Sequence, residues 1–535
     1  MAATFQTVLL MLAVLAAVAA LAKRLRIAPS ILLVVAGIGL AVVPGLPSIV
    51  LAPELVLLVI LPPLIYSAGV AMSWRDFRFN LRPIALLAFG CVVFTTGAVA
   101  AAAHYLLDFD WPTGFVLGAI IAPPDVVAPL AIARRLGLPR RLVVVLEGEG
   151  LANDATALIL YRFAVLAVTT GMFKPAQASG TFALIVVGEI AYGIAVGWVS
   201  LRLRRLAREP RVEITLSLMT PYLAYWVPEH LGGSGVLATV ACGLYVSWVG
   251  PRLIASATRL QGIFFWGFAV YLIEGMVFLL TGLQARALIE TAHAFSLHDL
   301  MIATLWTTFI VIAARFVWVF PATYLPRWLS PALAKRDPMP PWQGPFLLAF
   351  TGVRGVVSLA AALAIPYTIA SGAPFPHRDL ILFIVFGVII VTLVGQGLML
   401  PFVVQWLGLT SLGDDERHHE MKTEIAARRQ ALKVAHKRLD KIVGEQNFSD
   451  DVVEHLQTRH DSRAQQLPRN MRDGLEHKRQ TAKLKKQLID IERDFIYELL
   501  RDGKITDEAR RRIEYELDLE EASLANRRES EGGWL

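Results

Sequence analysis

The sequence predicts an all-α polytopic membrane protein with about thirteen transmembrane helices arranged as inverted repeats, followed by a charged, mainly helical tail. Three observations carry this reading. Of 535 residues, 55% are hydrophobic and only 18% charged, against about 45–50% and about 25% in soluble globular chains. The imbalance is local: residues 1–410 hold 26 Lys+Arg and 17 Asp+Glu, whereas residues 411–535 hold 25 and 27. Finally, apolar stretches able to cross about 30 Å of hydrocarbon recur along the first part, with basic residues alternating between their connections. For residues 1–410 these features exclude a soluble enzyme, a disulfide-stapled secreted domain and a disordered chain. Cys91 and Cys242 lie in separate apolar runs, which offers neither a disulfide framework nor zinc-ligand spacing.

The apolar stretches lie near 5–22, 30–43, 51–70, 83–106, 112–135, 141–170, 179–205, 211–230, 233–249, 258–282, 297–325, 344–365 and 378–407. Twenty basic residues fall on one set of connections: Lys23, Arg24 and Arg26; Arg75, Arg78 and Arg82; Arg134, Arg135, Arg140 and Arg141; Arg202, Arg204, Arg205, Arg208 and Arg211; Arg252 and Arg259; Arg327, Lys335 and Arg336. The other set has only Lys174, Arg286 and Arg378. The positive-inside rule places the richer set in the cytoplasm, with the N-terminus outside and the tail inside, as an odd helix count also requires. The +7 net charge is therefore topological and no signal for nucleic acid. Met1–Leu21 lacks a basic n-region and its charges follow the apolar run, so it reads as the first spanning helix and not as a signal peptide. Trp198, Trp226, Trp248 and Trp318 read as interface anchors.

Residues 411–535 read as a cytoplasmic tail. Glu416–Lys441 and Lys478–Glu521 carry mixed charges at helical spacing, with breaks expected at Asn447, Ser449 and Pro468. A solvated appendage is the plain reading, and a regulatory or dimer-forming role the alternative. Six of eleven histidines lie here, His418 and His419 among them, and these read as ordinary surface residues.

Charges in spanning segments are costly and become functional hypotheses by default. Those singled out are Asp125, Glu147, Glu149, Asp154, Arg162, Glu189, Glu274, Arg315 and Arg354, four of them between 125 and 154. On the fifth helix, Pro123 and Pro124 remove two backbone donors just before Asp125. The span should break into two half-helices, with unwound backbone tolerated only where it is buried in protein or lines a wet cavity. Asp125 is then placed to cap the positive end of the second half-helix. The twelfth helix mirrors this: Gly352 and Gly355 flank Arg354, a cation suited to a half-helix end with exposed carbonyls. Broken helices at matching positions in two halves point to a transporter site between inverted repeats. The trios 4–5–6 and 11–12–13 stand seven helices apart, so they run oppositely through the membrane.

On the sixth helix, Glu149 and Asn153 share a face, while Asp154 is rotated from Asn153 by about 100°. Glu149 needs a buried cation, and Arg315 is the best candidate. The expectation is a structural Glu149–Arg315 pair oriented by Asn153. Asp154 is left without a permanent partner, able to exchange a proton for a metal cation. Glu274 is expected to pair with Arg162 or line an access path, Glu189 stays open, and His104 and His230 read as interfacial.

These residues resemble the monovalent cation/proton antiporter family, in particular its bacterial NhaP-like branch related to eukaryotic sodium/proton exchangers. Leu146–Val165, LEGEGLANDATALILYRFAV, looks like the family's E-S-x-x-N-D helix. Pro123–Arg135 looks like its broken helix, and Gly352–Ser358 like its G-x-R-G-x-x-S segment. The resemblance covers roughly 5–410 and implies a homodimer in which a core bundle moves against a dimerisation bundle. It also implies two crossing broken helices, with Asp154 as the essential ion- and proton-binding carboxylate and Asp125 beside it. Glu149 and Arg315 would form the buried pair, with Asn153 nearby and Arg354 facing the crossing. Three departures bear on ion identity. Gly150 replaces a serine, Pro124 a threonine, and Ser67 stands where many relatives place an acid.

The expected activity is secondary antiport of Na+, or of Li+ or K+, against H+. Asp154 and Asp125 would serve as metal ligands, helped by carbonyls at 122–124 (Pro123 and Pro124 included), by Thr156 or Ser358, and by water. One carboxylate holds a proton or a cation but never both, so the exchange needs no cofactor. Asn153, where an electrogenic relative would carry an acid, suggests one proton per cation. No phosphate-loop or H-E-x-x-H pattern is present. The competing readings are a potassium/proton antiporter of the same fold and, more remotely, a gated cation channel. The partners expected are monovalent cations, protons, membrane lipid and a second copy; the sequence does not identify what the tail binds.

Overall fold

The computed structural model describes residues 2–44, 51–171, 175–291, 296–445, 451, 453–458, 471–502 and 504–531. Lys174 and the expected breaks at Asn447, Ser449 and Pro468 lie outside the described residues. The chain divides into two compact units, Met1–Thr410 and Ser411–Leu535.

In the first unit the described residues are helical apart from short connections and one isolated antiparallel bridge, Thr368 with Pro374. Among the described residues, eight helices are long and apolar enough to cross a membrane: Phe5–Leu25, Leu81–Leu107, Arg140–Thr170, Gly180–Ala207, Val236–Leu253, Ser256–Glu290, Leu297–Leu329 and Arg378–Trp406. Shorter apolar helices run Pro29–Ala41, Leu55–Ala71 and Trp111–Ile121. Pro210–His230 is interrupted chemically by Pro221 and Pro228 and carries Glu213. The expected count of thirteen therefore exceeds what uninterrupted apolar length marks, because the remaining expected spans are short, broken or carry a charge.

Helix packing separates two groups. Pro175–Ala207 packs on Pro210–His230 and Val236–Leu253, the latter on Leu61–Ala71, and Pro29–Ala41 on Ser256–Leu283. In the second group, Val92–Leu107 packs on Trp111–Ile121 and on Leu297–Leu329. Trp111–Ile121 packs on Arg140–Thr170, while Leu297–Leu329 holds Gln343–Phe350 and Arg378–Ile390. These are the helices of the two trios. Apolar burial does not drive helices together in lipid, so close van der Waals fit must. Gly118 supplies it: a Cβ there would stand 3.1 Å from Thr96 Cα, in the neighbouring backbone.

Among the described residues, π-helical turns interrupt the long helices at Leu55–Ile60, Leu86–Cys91 and Val391–Gln396. Such turns often mark functional positions. At the second, Leu86 O accepts a hydrogen bond from Trp318 Nε1 at 2.9 Å, and Trp318 is half-buried. Trp198, Trp226 and Trp248 are exposed. Arg204, expected in a connection, is 5% exposed inside Pro175–Ala207, where it donates to Tyr66 Oη at 2.8 Å.

In the second unit, helix Leu409–Glu445 is followed by Met471–Arg501 and Asp507–Glu531. The mixed-charge stretch Lys478–Glu521, expected to form amphipathic or paired helices, spans parts of these last two. They pair antiparallel, burying Ile489 and Leu517, with Arg493 bonded to Asp518 at 2.6 Å and to Glu521 at 2.8 Å. Hydrogen bonds from Arg493 and Lys486 hold the Glu521 carboxyl below its usual range.

Candidate ion-binding site

The fifth apolar stretch is interrupted as its prolines require. Helix Trp111–Ile121 ends, the chain is non-helical from Ala122 through Val126, with Pro123 and Pro124 in that segment, and a second helix runs Val127–Leu136. Asp125 Oδ1 accepts from Val127 N at 2.9 Å, capping the positive end of that second half. The twelfth stretch divides likewise into Gln343–Phe350 and Val356–Leu363. The two unwound segments meet: Asp125 N donates to Val353 O at 2.7 Å. Gly355 makes the approach possible, because a Cβ there would stand 2.5 Å from Asp125 Cβ and Cγ and would overlap Oδ2.

Arg354 is 1% exposed and serves the opposite polarity. Its Nε donates to Ile121 O at 2.5 Å and its Nη1 to Gly352 O. A single guanidinium thus bonds the last carbonyl of one first half-helix and a carbonyl in the unwound segment just beyond the other, where a cation suits the dipole. Its backbone N donates to Thr392 Oγ1 at 3.0 Å, within the third π turn.

Helix Arg140–Thr170 passes beside this crossing. Glu149 is fully buried and forms a two-pronged pair with Arg315, Nη1 to Oε1 at 2.5 Å and Nη2 to Oε2 at 2.8 Å. Arg315 Nε donates to Leu348 O at 3.0 Å, so every polar prong of the pair is used, which is the condition for keeping buried ions. Asn153 does not orient this pair. Its Nδ2 donates to Pro124 O at 2.6 Å, and its Oδ1 accepts from Asp154 N at 2.7 Å. The amide links the unwound backbone to the acid-bearing turn instead, and it occupies a carbonyl expected to face an ion.

Asp154 is partly exposed and has no ion-pair partner among the described residues. Asp125 lies close enough for the two charges to interact. Thr156 donates to Ala152 O on its own helix at 3.4 Å. Ser358 lines a small cavity with Pro123, Ala157 and Tyr161. Gly150 has a steric reason: a Cβ would meet Val126 Cγ1 at 3.0 Å, with Cγ2 closer still, so the serine of relatives would not fit beside this valine.

The remaining charges sort differently from expectation. Arg162 bonds Glu229 and Gly233 O, not Glu274. Glu189 caps helix Val236–Leu253, accepting from Ser234 N at 2.6 Å, Gly235 N at 3.1 Å and Leu237 N at 3.1 Å. Glu147 pairs with Arg134 at 2.5 Å. Glu274 lies within electrostatic reach of Asp125 and Arg134. His104 bonds Phe109 O at 2.7 Å, and His230 stacks on Trp226. Sequence reasoning missed Glu229, Thr392, Gly355 as the packing partner of Asp125, and the Tyr161 hydroxyl, which is buried without a partner among the described residues. Only the glycine beside Arg354 carried a usable signal. Among the described residues no group of three or more His, Cys, Asp or Glu side chains could hold a metal.

Two interrupted helices thus cross with opposite charges at their breaks, beside an acid that has no ion-pair partner among the described residues. The family profile described as "Sodium/hydrogen exchanger, transmembrane" matches residues 10–406. An uncharacterized Na(+)/H(+) exchanger of Mycobacterium bovis is 34% identical over 96% of this chain and 94% of its own length. The sodium, potassium, lithium and rubidium/H(+) antiporter of Bacillus pumilus is 34% identical over 77% of this chain and 62% of its own. The Na(+)/H(+) antiporter ApNhaP of Aphanothece halophytica is 32% identical over 75% and 73%. In fold, the chain resembles the sodium proton antiporter MjNhaP1 of Methanocaldococcus jannaschii, with a TM-score of 0.59 at 18% identity, covering 76% of this chain and 97% of that one. The chain belongs to the sodium/hydrogen exchanger family and is a multi-pass membrane antiporter.

Proposed function

We propose that the protein exchanges Na+ for H+ one for one, by alternating access, with both ions competing for Asp154. The observation that carries this reading is a contrast within one helix. Glu149 spends both oxygens on Arg315, whereas Asp154, five residues on, has no ion-pair partner among the described residues. A carboxylate paired to arginine has no reason to release its charge, but an unpaired one in a low-dielectric site gains by holding either a proton or a cation. Asp125 and Ser358 supply further oxygens near it, the peptide at Pro123 a carbonyl, and Thr156 a hydroxyl. Na+ is cargo here, and no resident cofactor is needed. Arg354 and the Asp125 cap neutralise the half-helix ends, so the crossing can exist without a bound ion. Glu274, partly exposed and within reach of Asp125 and Arg134, lines the approach from the cytoplasm.

The arrangement implied is thirteen spans with the N-terminus outside, a cytoplasmic regulatory tail from residue 411, and a homodimer in the cell membrane. In it the group of helices holding both breaks moves against the other. A K+-selective variant of the same cycle is the second reading. Gly150 and Pro124 remove two hydroxyl ligands from the site, and one relative is named for potassium as well as sodium transport.

The test is a pH-sensitive dye in inside-out vesicles. Added Na+ should collapse a preformed proton gradient, K+ should do so more weakly, and Asp154→Asn should abolish both responses. Equal responses from wild type and Asp154→Asn would overturn the site. A response driven by membrane voltage at fixed ion gradients would overturn the one-for-one exchange.

A further inference from the structure

A pocket lies between helices Leu81–Leu107, Arg140–Thr170 and Leu297–Leu329, at the ends that the basic connections assign to the cytoplasm. Arg82, Arg141 and Arg327 line it, each in a terminal turn of its helix. One or two turns deeper along the same helices the lining becomes apolar, with Leu86, Val145 and Val319. All three guanidinium groups converge on a single carboxylate, Asp337: Arg82 at 2.8 Å, Arg141 at 2.9 Å and Arg327 at 2.8 Å. Three cations on one anion leave the cluster strongly positive. Arg82 Nη1 is buried and has no hydrogen-bond partner among the described residues. A charged donor in that state calls for a second anion.

We propose that this pocket binds one anionic phospholipid of the cytoplasmic leaflet, its phosphate between Arg82 and Arg141 and an acyl chain along the apolar wall. A soluble phosphate would satisfy the arginines but leave that wall wet. A zwitterionic lipid would fill the wall but bring no net charge to the cluster. The site lies apart from the ion crossing but touches its support: Leu348, in the lining, is the residue whose carbonyl holds Arg315 Nε. A bound lipid therefore packs behind the Glu149–Arg315 pair and stabilises the folded bundle by mass action.

Purified full-length protein in detergent is titrated with phosphatidylglycerol, phosphatidylcholine or glycerol phosphate while its melting temperature is followed. Phosphatidylglycerol should act at a concentration roughly tenfold below phosphatidylcholine, as expected for basic groups meeting an anionic headgroup. Glycerol phosphate should produce no shift. Arg82→Gln combined with Arg141→Gln should erase the difference between the two lipids. Should that variant fail to fold, wild type is irradiated with photoactivatable phosphatidylglycerol, and crosslinks should map to Leu86, Val145 or Val319 and be competed by phosphatidylglycerol alone. Equal responses to both lipids, a shift with glycerol phosphate, or crosslinks elsewhere would overturn the proposal.

Discussion

Replacing Gly355 by alanine adds one methyl group at the tightest point of the crossing. The new carbon would stand 2.5 Å from Asp125 Cβ and Cγ, about 0.9 Å inside the 3.4 Å at which ordinary contact begins. Gly355 has φ −138° and ψ −159°, extended backbone open to alanine, so the effect is steric and not conformational. Asp125 has little room to retreat, because Val127 N holds its side chain at 2.9 Å and Val353 O holds its backbone at 2.7 Å. Overpacking of this kind costs about 1–3 kcal/mol, and a loosened cap adds about 1 kcal/mol. These are costs to the fold, read as a lowered melting temperature. Because the strain also displaces the Asp125 carboxyl that is proposed to hold the ion, the apparent Na+ affinity of Gly355→Ala should fall as well, tenfold for each loss of about 1.4 kcal/mol. The assay is Na+-dependent collapse of a proton gradient in proteoliposomes, with a thermal melt in parallel. Gly97, in helix Val92–Leu107 with nothing within 4 Å of a built Cβ, is the control. Gly97→Ala should leave affinity unchanged and raise stability by about 0.5–1 kcal/mol. Wild-type Na+ affinity and melting temperature in Gly355→Ala would refute the account of the crossing.

Other substitutions probe the remaining parts. Arg315→Met alone should cost about 3–5 kcal/mol by stranding Glu149, and adding Glu149→Leu should recover much of it; a double variant no more stable than the single would contradict this in a melting experiment. Gly150→Ser should destabilise through Val126 by about 1–3 kcal/mol, with Val126→Ala restoring the loss. Additive melting temperatures would show that the two residues do not compete for space. Glu189→Leu strands three backbone donors at the start of Val236–Leu253 and should cost about 1–3 kcal/mol, again read by melting. Competition of one proton with one Na+ makes the apparent KM for Na+ fall by about tenfold per pH unit while the carboxyl is mostly protonated, then level off once it is mostly ionised. A hundredfold slope would instead indicate two protons, with Asp125 or Glu274 joining the titration.

Asp337 and Arg354 mark how far a linear reading reaches. The break before Asp125 was legible because proline acts on its own backbone, and the break around Arg354 because glycines flank a charge in an apolar run. The family resemblance rested on the same local patterns. Glu149 with Arg315 could be matched from sequence because few buried cations were available to choose from. Where several partners competed, elimination failed. Arg162 took Glu229 over Glu274, Asn153 turned to Pro124, and Arg204, counted among connecting charges, is buried against Tyr66.

The chain's order of apolar lengths, breaks and charges suffices to specify a membrane antiporter with two interrupted helices, since each of those features acts within a few residues of itself. Which carboxylate is left unpaired depends on distances between segments far apart in the chain. So do the steric lock between Gly355 and Asp125 and the gathering of three arginines on Asp337. Packing alone sets those distances, because a hydrogen bond or an overlap is decided within a few tenths of an ångström that no spacing along the sequence encodes.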